Sequence, residues 1–215
     1  MGDHYFSATP GSVSAPRKVN AVLRGRSMSF VTDRGVFSKR GVDYGAVLLA
    51  EALTVPPSAR VLDLGCGYGP VGIAIALTVS DARVWLIDIN PRAAELARQN
   101  ARVAGVEERV AILQADGTGG LDPRLMFDVV ALNPPIRAGK SAVWKLYRQA
   151  CGRLYRSGEL YVVIQKKQGA ESSEAHLRTL FADVSIVERG GGYRVLRCRT
   201  PLLQDDKKIL PEQLT

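Results

Sequence analysis

The amino-acid sequence predicts an open, doubly wound α/β sheet of seven core strands, mostly parallel, ending in an antiparallel hairpin. Three observations predict it. From Arg60 onward, short apolar runs alternate with helical patterns, as parallel strands joined by right-handed crossovers require. Those runs are apolar throughout rather than alternating, which suits strands covered on both faces. Near the end, two strand-like stretches flank Gly190-Gly191-Gly192, a turn signal that closes a hairpin.

Each element has its own signal. Ser7 to Pro16 is polar and rich in Ser, Pro and Gly. Val19 to Phe37 then reads as a small β-hairpin, with Val19–Leu23 and Met28–Val31 as strands before the turn residues Thr32-Asp33-Arg34-Gly35. A helix opens near Asp43, runs through Leu53 and is ended by Pro56-Pro57. Val61–Leu64 is the first core strand, and Pro70–Thr78 a helix that starts beside a Gly-rich turn. Val84–Asp88 is the next strand. Asn90 caps a helix with Pro91 at its first position, running to Ala104 with Gly105 as a left-handed stop. Val110–Leu113 and Phe127–Leu132 are further strands. Val143, Leu146, Tyr147, Ala150 and Leu154 make the apolar stripe of a helix. Leu160–Ile164 is a buried strand, Ser172–Phe181 a helix, and Val184–Val187 pairs with Tyr193–Cys198. This divides the chain into an N-terminal extension (1–42), a core domain (43–200) and a C-terminal tail (201–215).

Composition excludes several classes. With 215 residues, 46% of them hydrophobic, the chain builds a sizeable core and is not disordered as a whole. The longest nearly unbroken apolar run, Val71–Val79, is too short to span a bilayer, and no secretory signal opens the sequence. Three widely spaced cysteines without Cys-x-x-Cys argue against a disulfide framework or a zinc site, so no metal is expected and a cytoplasmic home is. Two histidines leave little for a His-dependent mechanism. The net charge of +8 is concentrated: residues 134–168 carry eight Lys and Arg against Glu159 alone, and residues 1–45 carry seven against three acids. Basic excess confined to two segments points to a polyanionic partner, because phosphates neutralised on binding release counterions.

Asp63-Leu64-Gly65-Cys66-Gly67-Tyr68-Gly69 joins the first core strand to its helix. Glycines allow a sharp turn and let a ligand approach the backbone. Gly67-Tyr68-Gly69-Pro70-Val71-Gly72 also fits G-x-G-x-x-G, with Asp88 about 20 residues on, as a dinucleotide site wants. Two details oppose that reading. The turn starts earlier, at Gly65, and Pro70 removes an N–H where a pyrophosphate seeks donors. Asp63, an acid inside the strand, suits a cation such as the sulfonium of S-adenosylmethionine (SAM) and would repel a pyrophosphate. Asp88 suits a ribose diol with either ligand, and Asp116 suits an adenine amino group.

Asn133-Pro134-Pro135-Ile136 follows the fourth core strand directly, at the edge where doubly wound sheets bind ligands. The prolines stiffen the turn and restrict Asn133. Two acceptors, the Asn133 side chain and the Pro134 carbonyl, then hold both hydrogens of a planar exocyclic amine. The amine nitrogen is thereby aligned with an electrophilic methyl and gains lone-pair character.

These motifs, in this order, resemble class I SAM-dependent methyltransferases that act on exocyclic amines. Phe37-Ser38, Asp43-Tyr44-Gly45 and Gly192–Cys198 extend the resemblance to the small-subunit ribosomal RNA guanine-N2 methyltransferase family, over roughly residues 35–200. Family members often carry a duplicated N-terminal domain. The chain is too short for one and resembles the catalytic half alone. The resemblance implies a Rossmann-like fold, SAM as cofactor and RNA as partner. It implies that Gly65, Cys66, Gly67 and Gly69 wrap the methionine part beside Asp63. It further implies that Asp88 and Ile89 hold the ribose, Asp116 and Gly117 the adenine, and Asn133, Pro134 and Pro135 the target amine. Where the family often has a base-stacking aromatic, this chain has Ile136, an apolar platform, followed by Arg137 with its guanidinium plane. Arg137, Lys140, Lys166 and Lys167 would meet the polynucleotide, with Arg24 and Arg26 on a second bank. Adenine-N6 or protein-glutamine methylation, and an inactive RNA-binding scaffold, are the alternatives. The oligomeric state is not read from the sequence.

Overall fold

The computed structural model describes residues 13–38 and 41–202, so the polar start before Val13 and the tail beyond Leu202 lie outside the described residues. Fourteen elements follow one another among those residues: β1 (Arg17–Leu23), β2 (Arg26–Thr32), α1 (Tyr44–Ala52), β3 (Arg60–Leu64), α2 (Pro70–Thr78), β4 (Arg83–Asp88), α3 (Pro91–Val103), β5 (Val110–Gln114), β6 (Phe127–Leu132), α4 (Lys140–Cys151), β7 (Leu154–Gln165), α5 (Ala170–Leu177), β8 (Phe181–Gly190) and β9 (Tyr193–Pro201). The main sheet has seven strands in the order β5-β4-β3-β6-β7-β9-β8. β3 to β7 are parallel, and β9 runs antiparallel to both β7 and β8. The doubly wound architecture read from the sequence is the observed one. The chain reverses direction across the sheet between β3 and β6, which sets their carboxyl ends side by side.

Two apolar layers cover the sheet. On one face α2 and α3 pack with Val61, Val84, Leu86 and Val129; on the other, α4 and α5 pack with Leu62, Ile87, Val130 and Val162. α2 sits against β3 and β4 as an almost wholly buried helix, which explains its nearly unbroken apolar sequence. The β1–β2 hairpin joins the first layer through Val19, Leu23, Met28 and Phe30. A buried side chain locks it there: Asn100 Oδ1 accepts from Val31 N (2.7 Å), while its Nδ2 donates to the carbonyls of Val31 and Tyr68, both at 2.9 Å.

Several boundaries differ from the sequence reading. Leu154 does not continue the α4 stripe but begins β7, opposite Phe127. α4 ends at Cys151 with Gly152 as its cap, and the long β7 is accommodated by a register shift between Phe127 and Val129. Gly158 lies in that irregular stretch, where a Cβ would come within 2.9 Å of the Phe127 carbonyl oxygen. The helix expected over Ser172–Phe181 is α5, which starts at Ala170 and stops at Leu177. Phe181 is recruited into β8, where it faces Pro201 and is buried. Tertiary pairing overrides the local helical pattern at both places. β9 continues through Pro201, beyond the hairpin strand expected to end at Cys198.

Candidate active site

A cavity of about 420 Å³ opens where the carboxyl ends of β3, β4 and β6 meet, within the usual range of small-molecule sites. Its wall brings together most residues singled out from the sequence: Asp63, Gly65, Cys66 and Gly67 from the first turn, Asp88 and Ile89 after β4, Asp116 and Gly117 after β5, and Asn133, Pro134 and Pro135 after β6. Residues separated by 70 positions meet because parallel strands point their ends the same way.

The glycines of the first turn divide into two kinds. Gly65 and Gly67 have φ of +76° and +58°, and a Cβ on either would meet nothing within 4 Å. They leave room for a ligand. The turn is tied to β4 by Gly65 N and Cys66 N, which both donate to Ile87 O at 2.8 and 3.0 Å. Gly69 is different. It caps α2 at φ +90°, and a Cβ there would lie 2.9 Å from both Ile73 Cδ1 and Leu86 Cδ2. Gly69 is not part of the cavity wall; its smallness seats α2 on β4.

Three carboxylates stand around the cavity with no ion-pair partner among the described residues. Asp63 is 3% exposed, and its Oδ2 accepts from Gly72 N at 2.8 Å. Burial lifts its carboxyl to about 7; the Gly72 bond opposes the rise and the nearby charge of Asp88 adds to it. Asp88 accepts from Gly67 N through Oδ2 and from Asn90 N through Oδ1, both at 2.8 Å. Each oxygen keeps a lone pair for a ribose hydroxyl. Burial raises the Asp88 carboxyl as well, against the pull of those backbone bonds. Asp43, the third, is the N-cap of α1 and accepts from Ala46 N at 3.1 Å. Its carboxyl is again raised by burial. Charges buried without partners are costly, so this wall is poised for a cation. Asp116 stands apart, with Lys145 Nζ at 2.6 Å from its Oδ2. Gly117 beside it adopts φ +63°, a conformation that favours glycine, while a Cβ there would meet only the movable end of the Gln149 side chain.

The Asn133 turn is stiffer than an extended segment. Pro135 has φ −76° and ψ 78°, and Ile136 N donates to Pro134 O at 2.9 Å, which closes an inverse γ-turn. The Pro134 carbonyl keeps one lone pair for a ligand. Asn133 Nδ2 lies 3.5 and 3.4 Å from the two oxygens of Asp43. A carboxylate attracts the amide's N–H and repels its oxygen, so Asn133 Oδ1 is the atom left to accept from a ligand. Asp43 entered the sequence reading as a helix start and within the Asp43-Tyr44-Gly45 resemblance, and was not singled out as a site residue; the structure places it in the cavity wall. Lys145, Tyr68, Ala142 and Leu146 also line the cavity and were not singled out as site residues. Ile136 packs against the apolar layer beneath and is not part of the cavity wall.

The expected basic residues separate in the same way. Arg26, Arg137, Lys140, Lys166 and Lys167 are exposed. Lys166 N donates to Gly192 O at 2.8 Å, which ties the β7–α5 loop to the tip of the β8–β9 hairpin. Arg24 instead turns its guanidinium onto the end of α1, donating to the carbonyls of Ala50 and Leu53 at 2.8 Å and to Thr78 Oγ1 at 2.8 Å. It is a clamp between β1, α1 and α2. No helix of the described residues is long and apolar enough to cross a membrane.

Open space over Gly65 and Gly67, a diol acceptor at Asp88 and uncompensated carboxylates fit SAM, which is cationic at its sulfonium and carries a ribose. With this strand order, the protein falls in the class of SAM-dependent class I methyltransferases. The methyltransferase small domain family matches residues 27–197, and the chain belongs to that family. It is 40% identical over 200 residues to the uncharacterized protein YbxB of Bacillus subtilis (strain 168), covering 93% of this chain and 99% of that one. It is 31% identical to ribosomal RNA large subunit methyltransferase G of Pseudomonas putida (strain W619), over 90% of this chain and 52% of the relative. Among solved structures, the T. thermophilus 16S rRNA N2 methyltransferase RsmC, in complex with AdoMet and guanosine, superposes with a TM-score of 0.79. That match has 24% identity and covers 89% of this chain and 52% of RsmC, a likeness of fold. The chain thus spans about half the length of both ribosomal RNA methyltransferases and nearly all of YbxB.

Proposed function

We propose that the protein transfers the methyl group of SAM to the exocyclic amine of a nucleobase in ribosomal RNA, guanine N2 being the favoured target. One observation carries this reading: a proline-braced turn presents Asn133 Oδ1 and Pro134 O as acceptors, with the Asn133 amide oriented by Asp43, at the cavity that holds the acidic wall. SAM, when bound, supplies an electrophilic methyl on a sulfonium. Asn133 and Pro134 accept the two amine hydrogens, hold the nitrogen in line with that methyl and raise its lone-pair character. Asp63, Asp43 and Asp88 favour the cation before transfer. No strong base is required, because the methylated nitrogen is acidic and gives its proton to water. The described histidine, His176, is accordingly not used; it stacks on Trp144 with ring centroids 4.6 Å apart and does not line the cavity.

The substrate reading rests on charge and kinship. The basic segment 134–168 begins at the acceptor turn, and a named relative acts on large-subunit rRNA while a named structural neighbour acts on 16S rRNA. A base within a duplex must be flipped out to reach the cavity, so looped or single-stranded RNA is the preferred form. The test is tritium transfer from labelled SAM to small-subunit rRNA, large-subunit rRNA and ribosomal protein fractions, with wild type and Asn133→Ala. Label in one rRNA that Asn133→Ala abolishes is the expected result. Label in protein, or transfer that survives the substitution, overturns the proposal.

A further inference from the structure

Asp43 does more at this site than cap a helix. Its backbone conformation (φ −70°, ψ 154°) and its bond to Ala46 N are those of an ordinary N-cap. The carboxylate nevertheless lines the cavity, faces Asn133 Nδ2, and forms no ion pair among the described residues. An ionised carboxylate offers about four lone-pair sites, and the amides of Ala46, Gly45 and Asn133 leave capacity for one more donor. Asn133, Pro134 and Asp43 line the same cavity, so the Asp43 carboxylate adds a third acceptor to Asn133 Oδ1 and Pro134 O.

We infer that Asp43 is the specificity-determining residue, accepting a hydrogen bond from a ring N–H adjacent to the target amine. Guanine carries such a pair, N1–H beside the N2 amine. Adenine does not: beside its N6 amine stands N1, a lone pair that the carboxylate repels. A buried acceptor left facing another acceptor loses its hydrogen bond and its hydration together, which is how polar sites reject close analogues. This inference rests on the amine-transfer reading above and assigns its base selection to one side chain.

The test uses a fragment of the rRNA that the wild-type protein methylates, synthesised with guanine or 2-aminopurine at the target. 2-Aminopurine has the same exocyclic amine but an acceptor at N1. Wild type is expected to prefer guanine by at least about 10²-fold in kcat/KM, as a site built to hydrogen-bond its substrate does. Asp43→Asn and Asp43→Ser both retain a capping side chain and so preserve the fold, checked by thermal melting, and both substrates are compared at saturating SAM. Each is expected to slow transfer to both bases through the lost Asn133 contact, but to cost at least about tenfold more on guanine than on 2-aminopurine, so that the preference collapses. Equal losses on both substrates would make Asp43 a positioning residue for Asn133 alone and overturn the inference. Equal rates on both bases with wild type would do the same. Methylation of neither base, with label elsewhere in the fragment, overturns the amine-transfer reading and the selection with it.

Discussion

The two ends of the cavity are built on different principles. At the β3–β4 end, position is fixed many times over: Asp88 holds two backbone amides, Asp63 a third, and the turn between them is tied to Ile87 by two more. At the β6 end, geometry depends on two prolines and one contact between Asn133 and Asp43, two residues that are 90 positions apart. Redundancy suits a surface that binds a rigid ligand, whereas a two-acceptor hook has to be aimed. Substitutions at the first end should therefore change affinity and stability, and those at the second should change turnover.

The largest expected effect tests that division directly. Asn133→Ala should lower kcat on the order of 10²–10³-fold or more, as loss of a preorganised hydrogen-bonding group does, while calorimetry shows SAM affinity unchanged within about twofold. Asp88→Ala should do the opposite. With Asp88 proposed as the ribose acceptor, removal of its carboxylate predicts SAM binding weaker by about 100-fold or more, with kcat at saturating SAM much less affected.

A pH series separates the ends further. The Asp63 carboxyl ionises at 3.8 when exposed and at about 7 in the fold, so the native state holds an extra proton between those values. Its contribution to stability is fully present below about 4, declines as pH rises and levels off above about 7. The melting temperature of the cofactor-free protein should thus fall from pH 5 to pH 8, and SAM affinity should rise through pH 7 as the carboxylate forms. The raised carboxyls of Asp43 and Asp88 slope the same way. Asp63→Asn should flatten both curves without abolishing them, and should raise the melting temperature at pH 8 while weakening SAM binding.

The glycines provide a smaller contrast within the first end. Gly69→Ala forces a methyl onto Ile73 and Leu86 at a left-handed position and should cost about 1–3 kcal/mol in a denaturant melt, with SAM affinity retained in the folded fraction. Gly65→Ala meets no neighbouring atom, so its strain is confined to the left-handed backbone, about 1–2 kcal/mol, and its main effect should be weaker SAM binding. Arg137→Ala is the mildest expectation. One exposed cation fewer should weaken RNA binding a few-fold and reduce the salt slope of its affinity by about 1, with no change in SAM affinity.

How much was legible follows from the same contrast. Gly65, Gly67, Asp88 and Asn133 could be placed at one edge from sequence because each stands at or just after the end of a strand, and a doubly wound sheet gathers those ends. Asp43 could not. As a helix cap it was already accounted for by a local role, and nothing along the chain indicates that the start of α1 approaches the end of β6. Gly69 and Gly65 look alike in a Gly-rich turn; only the side chains of Ile73 and Leu86 tell a packing glycine from an open one. Arg24 reads as one more surface cation, yet the carbonyls at the end of α1 take up its donors. Leu154 fits the α4 period and is taken by β7 because strand pairing with Phe127 outweighs one more helical residue.

The central claim is that this cavity delivers a methyl group to an amine held outside the ring of a base. Nucleoside mass spectrometry of rRNA incubated with the protein and SAM tests it most directly. N2-methylguanosine at one position, absent with Asn133→Ala, is the predicted result. A methyl on a ring nitrogen or a ribose oxygen would contradict the account.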